Sequence, residues 1–164
     1  MTITKRIALV FIVLVSCVAC DQTTKSVAQS LLSESEAWSF LGDTVRLQLA
    51  HNQGAFLGLG ASLPETFRAG LFSVGVGVLL LVLLGVTLFS KSASLLEILA
   101  YSLLLAGGAG NLIDRVMCGY VVDFMNIGVG SLRTGIFNVA DIAVSVGVLI
   151  LIADSLYGRK TNVL

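Results

Sequence analysis

Residues 107–141 read GGAGNLIDRVMCGYVVDFMNIGVGSLRTGIFNVAD, and this stretch places charged residues beside long apolar runs. An ionisable side chain next to lipid is energetically costly, so such residues are by default candidates for a functional site. Asp123 and Asp141 each follow a short run of apolar or small residues, and we interpret them as a pair of catalytic carboxylates at a membrane surface. The other charged residues of the stretch are Asp114, Arg115 and Arg133.

The composition on either side of this stretch is that of an integral membrane protein. Of the 164 residues, 56% are hydrophobic, 12% are charged, and the mean hydropathy is +0.96. Typical soluble domains carry about 25% charged residues. The length predicts a single membrane-embedded domain, residues 1–164. The formal net charge is zero, so there is no basic field to recruit nucleic acid.

Four apolar runs predict an all-α polytopic membrane protein with four transmembrane helices. The predicted spans are about 7–24, 69–89, 95–112 and 136–156. The second run contains no charge and is long enough to cross a hydrocarbon core of roughly 30 Å. In the third run, Gly107, Gly108 and Gly110 predict the close approach of a neighbouring helix or ligand.

The first apolar run leaves two interpretations open. It follows a basic head and ends in Ala19-Cys20, a pattern that also resembles a secretory signal peptide. Residues 14–17, LVSC, resemble the lipidation box of a lipoprotein precursor. Three further apolar runs, and helical spacing that continues to Leu32, favour an uncleaved first helix with Asp21 near its outer end.

The least apolar part of the chain, about 36–66, predicts a small extracytoplasmic β-sheet and a loop. Residues 45–50 alternate apolar with mostly polar side chains, which suits a half-buried strand, and Gly42-Asp43 predicts a turn. Pro64 predicts the start of a short interfacial helix. We expect the sheet to lie on the membrane surface.

The orientation of the chain follows from its basic residues. Four spans place both termini on the same side, and the Lys and Arg counts of the two sides are equal. The terminal-side segments are shorter, so their basic density is higher, and the positive-inside rule then places both termini in the cytoplasm. Asp123 and Asp141 face outward in this orientation.

The carboxylate pair has a chemical and a structural interpretation, and the spacing leaves both open. If Asp123 and Asp141 converge on one water, the ionised member can take a proton from it. The protonated member can then hydrogen-bond to a scissile carbonyl, because two close like charges do not both ionise easily. Alternatively, Asp141 caps the fourth helix, and Asp123 caps a turn or binds Arg133.

Other polar residues near the pair have separate expected roles. Asn111 and Arg115 lie four residues apart on one helical face and are candidate partners of substrate or carboxylate groups. Asp114 is expected to be a solvated partner of Arg115 at a helix end. His51, the only histidine, is expected at the surface.

The three cysteines, Cys17, Cys20 and Cys118, are expected to be structural. With one histidine in the chain, they do not form a metal motif, and no metal site is predicted. The sequence also contains no pattern typical of a Ser/His/Asp triad or of a phosphate-binding loop.

Five motifs, in this order and between four apolar runs, resemble those of the bacterial lipoprotein signal peptidases, also called signal peptidase II. They are DQTTK at 21–25, NQGAF at 52–56, GNLIDR at 110–115, VVDF at 121–124 and FNVAD at 137–141. The resemblance implies that Asp123 and Asp141 are the catalytic aspartates. It also implies a set of residues that support or line the site, namely Asp21, Lys25, Asn52, Gly54, Asn111, Arg115, Asn138 and Ala140.

The same resemblance implies an activity and a location. The chain is expected to be an intramembrane aspartyl endopeptidase of the bacterial inner membrane, with its site near the periplasmic face. It would remove the signal peptide from diacylglyceryl-modified prolipoproteins by cutting before the lipidated cysteine, without a metal or organic cofactor. Membrane lipids are expected partners, and we expect a monomer. Two other classes stay open, a small membrane transporter or channel subunit and a lipoprotein precursor.

Overall fold

The computed structural model describes residues 1–54, 64 and 70–158 and is mostly helical. Within these residues the chain forms four α-helices, and a π-helical turn, Gly70–Gly75, leads into the second of them. The interfacial helix predicted after Pro64 lies outside the described residues. The helices are α1 (Ile3–Leu31), α2 (Val76–Phe89), α3 (Leu95–Cys118) and α4 (Val139–Gly158).

Three of the described helices are long and apolar enough to cross a membrane. They are α1, α3 and the part of α4 that runs from Val139 to Leu156. A shorter apolar helical stretch, Ser73–Phe89, corresponds to the predicted second span. The mostly helical architecture was therefore predictable from the apolar runs.

Local sequence explains where α3 begins and ends. Ser94 accepts a hydrogen bond from the backbone N–H of Glu97, whose side chain accepts one from the Ser94 N–H, so the two form a capping box. The helix ends at Gly119, whose φ of +81° is a left-handed conformation that favours glycine. Consequently α3 extends past the predicted end at residue 112 and carries Asn111, Asp114 and Arg115 on its last turns.

The sheet has four antiparallel strands in the order β1-β2-β3-β4. The predicted alternation corresponds to β2, and the predicted turn at Gly42-Asp43 joins it to β1, with positive φ at both residues. Local sequence patterns did not predict β3 and β4, which complete the sheet from a distant part of the chain. The strands are β1 (Trp38–Phe40), β2 (Val45–Asn52), β3 (Val121–Val129) and β4 (Leu132–Arg133).

Glycine allows α3 and α4 to approach closely, as predicted from Gly107 and its neighbours. A Cβ built on Gly107 would collide with the carbonyl oxygen of Ala140 and would lie 2.7 Å from the Val144 side chain. From the α4 side, a Cβ on Gly147 would lie 2.9 Å from the carbonyl oxygen of Ala100. The start of α4, which carries Asp141, is thereby held against the last turns of α3.

Arg6, which is 6% exposed, closes the end of the bundle opposite to the start of α4. Its Nη1 donates hydrogen bonds to the carbonyl oxygens of Thr87 and Leu88, each at 3.2 Å, and to that of Ser90. A cation at a helix C-terminus satisfies the unpaired carbonyls and opposes the helix dipole. The N-terminus of α1 and the C-terminus of α2 therefore lie at one end of the bundle.

Candidate active site

Asp123 and Asp141 line the same cavity, whose volume is about 490 Å³. Asp123 comes from β3 and Asp141 from the first turn of α4, so the sheet and the bundle meet at this point. The wall is completed by apolar residues of α2 and α4, such as Val76 and Val144, and by the backbone at Gly108. A volume in this range is typical of small-molecule and peptide sites.

Asp123 is a buried carboxylate with two amide donors. The residue is 2% exposed. Its Oδ1 accepts a hydrogen bond from Asn138 Nδ2 at 2.6 Å, and its Oδ2 accepts one from Asn52 Nδ2 at 3.0 Å. Burial raises the pKa of Asp123 to about 6, and the negative charge of Asp141 adds to this rise while the bond from Asn52 opposes it.

Asp141 occupies the N-terminal turn of α4 and forms a reciprocal cap with Asn138. The Asn138 N–H donates to Asp141 Oδ2 at 3.2 Å, and the Asp141 N–H donates to Asn138 Oδ1 at 2.9 Å. The structural alternative for Asp141, a helix cap, is therefore correct, and it coexists with a place in the cavity wall. The second oxygen of Asp141 accepts from Asn111 Nδ2 at 2.9 Å.

Asn138 contacts both carboxylates. It is fully buried, its side-chain amide donates to Asp123, and its backbone amide donates to Asp141. One residue thus holds two acidic groups that come from different elements, β3 and α4. This bridge holds the two aspartates at one place in the cavity wall.

Lys25 lies behind the pair as a buried cation. Its Nζ is 2.8 Å from Asp21 Oδ2, 2.9 Å from Asp114 Oδ2 and 3.0 Å from Asn111 Oδ1. These three contacts match the three protons of an ammonium group. The polar run 21–25 inside an otherwise apolar helix was the sequence signal for this cluster.

The expectation for Asp114 was wrong. Asp114 is 6% exposed, and it accepts hydrogen bonds from Gln22 Nε2 at 2.8 Å and from the Val122 N–H at 3.1 Å in addition to its ion pair with Lys25. Successive residues of an α-helix point about 100° apart, so Asp114 faces α1 although Arg115 is its neighbour in sequence.

Asn52, Gly54 and Arg115 connect the end of β2 to α3. Arg115 Nη2 donates to the Gly54 carbonyl oxygen at 2.9 Å, and the Gly54 N–H donates to Asn52 Oδ1 at 3.0 Å. The second of these bonds orients the Asn52 amide so that its Nδ2 faces Asp123. The structure brings all three residues to the site.

Ala140, the last of the residues implied by the resemblance, is buried and donates its backbone N–H to Asp21 Oδ1 at 2.9 Å. A residue that sequence reasoning did not single out, Gln22, also joins this cluster through Asp114 and the Gly110 carbonyl oxygen. Its signal was its position in the same polar run of α1.

Arg133 and His51 lie away from the carboxylate pair. Arg133 donates to Asn126 and to Asp43 in the outer part of the sheet, so the alternative in which it binds Asp123 is not the arrangement found. His51 is exposed, as expected, and its Nδ1 lies 2.6 Å from Glu34 Oε1.

Comparison with known proteins identifies relatives over nearly the whole chain. The family profile of signal peptidase (SPase) II matches residues 12–157. A lipoprotein signal peptidase of Sulfurihydrogenibium sp. (strain YO3AOP1) is 35% identical over 145 residues, which cover 87% of this chain and 88% of that protein. A lipoprotein signal peptidase of Syntrophus aciditrophicus (strain SB) is 34% identical over 144 residues, covering 85% and 87%.

Solved structures show the same architecture. One bacterial membrane enzyme, determined by the in meso method, superimposes with a TM-score of 0.83 at 28% identity and covers 95% of this chain and 92% of its own. A second, also a bacterial membrane enzyme, superimposes with a TM-score of 0.76 at 27% identity, covering 92% and 94%.

Proposed function

The chain belongs to the signal peptidase II family, and on that premise we propose that it cleaves signal peptides from prolipoproteins with Asp123 and Asp141 as its catalytic pair. The substrates are diacylglyceryl-modified prolipoproteins, which it cuts before the lipidated cysteine. The observation that carries the assignment of the pair is the Asn138 bridge between two carboxylates in one cavity wall.

The two carboxylates take different roles in hydrolysis. Asp141 lies at the N-terminus of α4, where the helix dipole favours negative charge, so it is the base that takes a proton from the attacking water. Asp123 holds a proton more readily because it is buried, and it donates a hydrogen bond to the scissile carbonyl oxygen. Collapse of the tetrahedral intermediate then breaks the peptide bond as Asp141 passes the proton taken from the water to the leaving nitrogen, which regenerates the starting state of the pair.

The cavity suits a substrate that remains partly in lipid. Its apolar wall comes from α2, α3 and α4, whereas its polar groups cluster at Asp123 and Asp141. The acyl chains and the signal helix stay in the bilayer while the scissile bond meets the pair.

The enzyme crosses the bacterial inner membrane four times, with both termini in the cytoplasm and the site near the periplasmic face. This topology is supported by charged side chains at both ends of the bundle, Arg6 at one end and Arg115 at the other. The positive-inside rule assigns the Arg6 end, which also carries Lys5 and Lys91, to the cytoplasm.

Conservative replacement of each carboxylate tests the aspartyl assignment. Asp123→Asn and Asp141→Asn keep the size of the side chain but remove the ionisable group. Each should lower the kcat for a diacylglyceryl-modified peptide by at least about a hundredfold, as loss of an acid–base group does. The double variant should be little worse, because the two groups act as one unit.

Asp154→Asn is the matched control. It makes the same chemical change on the same helix, about 20 Å further along at 1.5 Å per residue, and should leave turnover within about twofold of the wild type. Membrane insertion and yield should be similar for all variants. Near wild-type cleavage by either single variant would exclude an aspartyl mechanism at this pair.

A further inference from the structure

A buried ion triad, Asp21–Lys25–Asp114, links α1 to α3 directly behind the carboxylate pair. The three residues are 1%, 2% and 6% exposed, and the two ion pairs measure 2.8 and 2.9 Å. Burying a carboxylate costs more than an ion pair usually returns, so a triad with one net negative charge is weak evidence for a stabilising role. Its geometry indicates a different role.

Each carboxylate of the triad accepts a hydrogen bond from the backbone N–H of the residue just before one catalytic aspartate. Asp21 accepts from the N–H of Ala140, the residue before Asp141. Asp114 accepts from the N–H of Val122, the residue before Asp123. Because Lys25 lies between the two carboxylates, it fixes the distance between α4 and β3 at the level of the reacting groups.

The third proton of Lys25 orients a side chain that touches the pair. An ammonium group only donates, so the oxygen of the Asn111 amide must face Lys25, at 3.0 Å. The nitrogen of that amide then faces Asp141, to which it donates at 2.9 Å. Asn138 Nδ2 donates to the same Asn111 oxygen at 3.0 Å, so Lys25 and Asn138 together set the orientation of the Asn111 amide.

We propose that the Asp21–Lys25–Asp114 triad is a positioning clamp that sets the separation and hydrogen bonding of the catalytic carboxylates. The inference rests on the proposed function, since it concerns the same pair. Lys25, Asp21 and Asp114 are positioning residues in this scheme because they act through backbone amides and Asn111. Within the described residues, the charged groups that act on the pair are Asp21 and Lys25 from α1 and Arg115 from α3, while Asp114 contacts Lys25 and the Val122 N–H.

Asp21→Asn and Asp114→Asn test the clamp without leaving Lys25 unpaired. Both oxygens of each native carboxylate accept hydrogen bonds. The NH2 group of an introduced asparagine must therefore face a donor, and at least one contact is lost. We expect kcat for a lipidated peptide to fall roughly tenfold or more while KM changes less than about threefold. Lys25→Met, which removes both ion pairs, should have the larger effect.

The pH profile separates positioning from structural support. Two coupled carboxylates titrate with two apparent pKa values whose spacing depends on how close the groups are. Loosening the clamp should bring these two values closer together in kcat profiles measured between about pH 4 and pH 9. A parallel shift of both limbs with unchanged spacing would show that only a nearby charge had been removed, and would overturn the proposal.

Folding is measured for every variant by thermal denaturation in the detergent micelles used for the activity assay. A loss of activity that only follows the folded fraction, with an unchanged profile in the folded enzyme, or a variant that does not fold at all, assigns the triad to stability and also overturns the proposal. Asp123→Asn and Asp141→Asn are assayed in parallel. If they remain active, the proposed function fails; if they are inactive while the triad variants retain the wild-type profile, only the clamp fails.

Discussion

At the scale of the residue, the burial of Asp123 makes the stability of the fold depend on pH. Its pKa of about 6 lies above the value of about 3.9 for an unfolded aspartate. Between these two values the folded state binds a proton that the unfolded state has released, so stability is highest below the unfolded pKa and is lost as the pH rises through the folded one. At neutral pH the negative charge of Asp123 is therefore a destabilising feature.

Asp123→Asn should consequently stabilise the protein at neutral pH. The variant keeps an acceptor for Asn138 and gives up the bond from Asn52, which limits the gain, but it removes the buried charge. Its free energy of unfolding should therefore exceed that of the wild type by about 2 kcal/mol or less above pH 7. The difference should shrink to near zero at about pH 4, where both forms are neutral. Reversible unfolding in mixed micelles at both pH values measures it.

Asp154→Asn serves again as the control and should show no such pH-dependent difference. If the stability gap between wild type and Asp123→Asn is the same at both pH values, the charge of Asp123 is not the cause.

The sequence predicted which residues carry charge into the site but not which way each one points. Asp123 and Asp141 could be found because ionisable residues beside apolar runs are uncommon. Asp114 was misinterpreted because its neighbour Arg115 suggested a local pair, whereas its true partner Lys25 lies on another helix. Such contacts depend on helix packing, which local sequence does not specify.

At the scale of the element, the outer sheet is amphipathic. Residues directly opposite in an antiparallel pair lie on the same face, and the register therefore aligns apolar residues from all four strands on one face. Among them Trp38, Val129 and Leu132 are 46%, 75% and 84% exposed. The apolar face comprises Trp38, Phe40, Val45, Leu47, Met125, Ile127, Val129 and Leu132.

The opposite face of the sheet is polar and internally bonded. Arg46 Nη2 and Asp43 Oδ2 form an ion pair of 2.6 Å, and Ser39 Oγ donates to Asp43 at 2.7 Å. Arg133 donates to the Asp43 carbonyl oxygen at 2.7 Å. A two-sided element joined to membrane helices is expected to lay its apolar face on lipid, with the aromatic residues at the interface.

Trp38, the single tryptophan of the chain, reports on this contact directly. In vesicles its fluorescence should be quenched by phospholipids that carry bromine or a nitroxide near the headgroup. Aqueous acrylamide should quench it far less than it quenches free tryptophan. Leu132→Glu should weaken the lipid quenching, whereas Ser39→Glu, which places the same charge on the polar face, should not. Strong acrylamide quenching without lipid quenching would place the apolar face in water.

Half of this sheet was predictable. The alternation in β2 and the Gly42-Asp43 turn are local patterns, and both were recognised. The third strand was missed because VVDFMNIGV at 121–129 has no turn partner nearby and pairs with β2 across about seventy positions, a relation that periodicity does not encode. That pairing is what brings Asp123 to the bundle.

At the scale of the whole molecule, the segment before α3 has to cross the same distance as α3 itself. The Gly54 carbonyl is bonded by Arg115 at the site end, and the Ser90 carbonyl is bonded by Arg6 at the other end. The six-residue π-helical turn and the 14-residue α2 lie between them. Together they extend about 30 Å, enough for the hydrocarbon core, so α2 should be a fourth span although its regular part is short.

Cysteine labelling in spheroplasts tests this crossing. In a Cys17→Ala, Cys20→Ala background, the exposed native Cys118 marks the end of α3. In the same background with Cys118→Ala, Ser35→Cys marks the segment after α1, and Ser92→Cys marks the turn between α2 and α3. A membrane-impermeant maleimide should label the markers at 35 and 118 in intact spheroplasts, because both lie at the site end.

The marker at 92 should react only after lysis, because it lies near Arg6, at the end of the bundle that we propose faces the cytoplasm. Protection at 92 together with labelling at 35 and 118 requires one crossing before residue 92 and another after it, which α2 and α3 supply. Labelling of all three positions in intact spheroplasts would leave α2 on the outer surface and contradict four spans. Labelling at 92 alone would retain the four spans but invert the molecule. The carboxylate pair would then lie on the cytoplasmic side, where prolipoproteins are found before export.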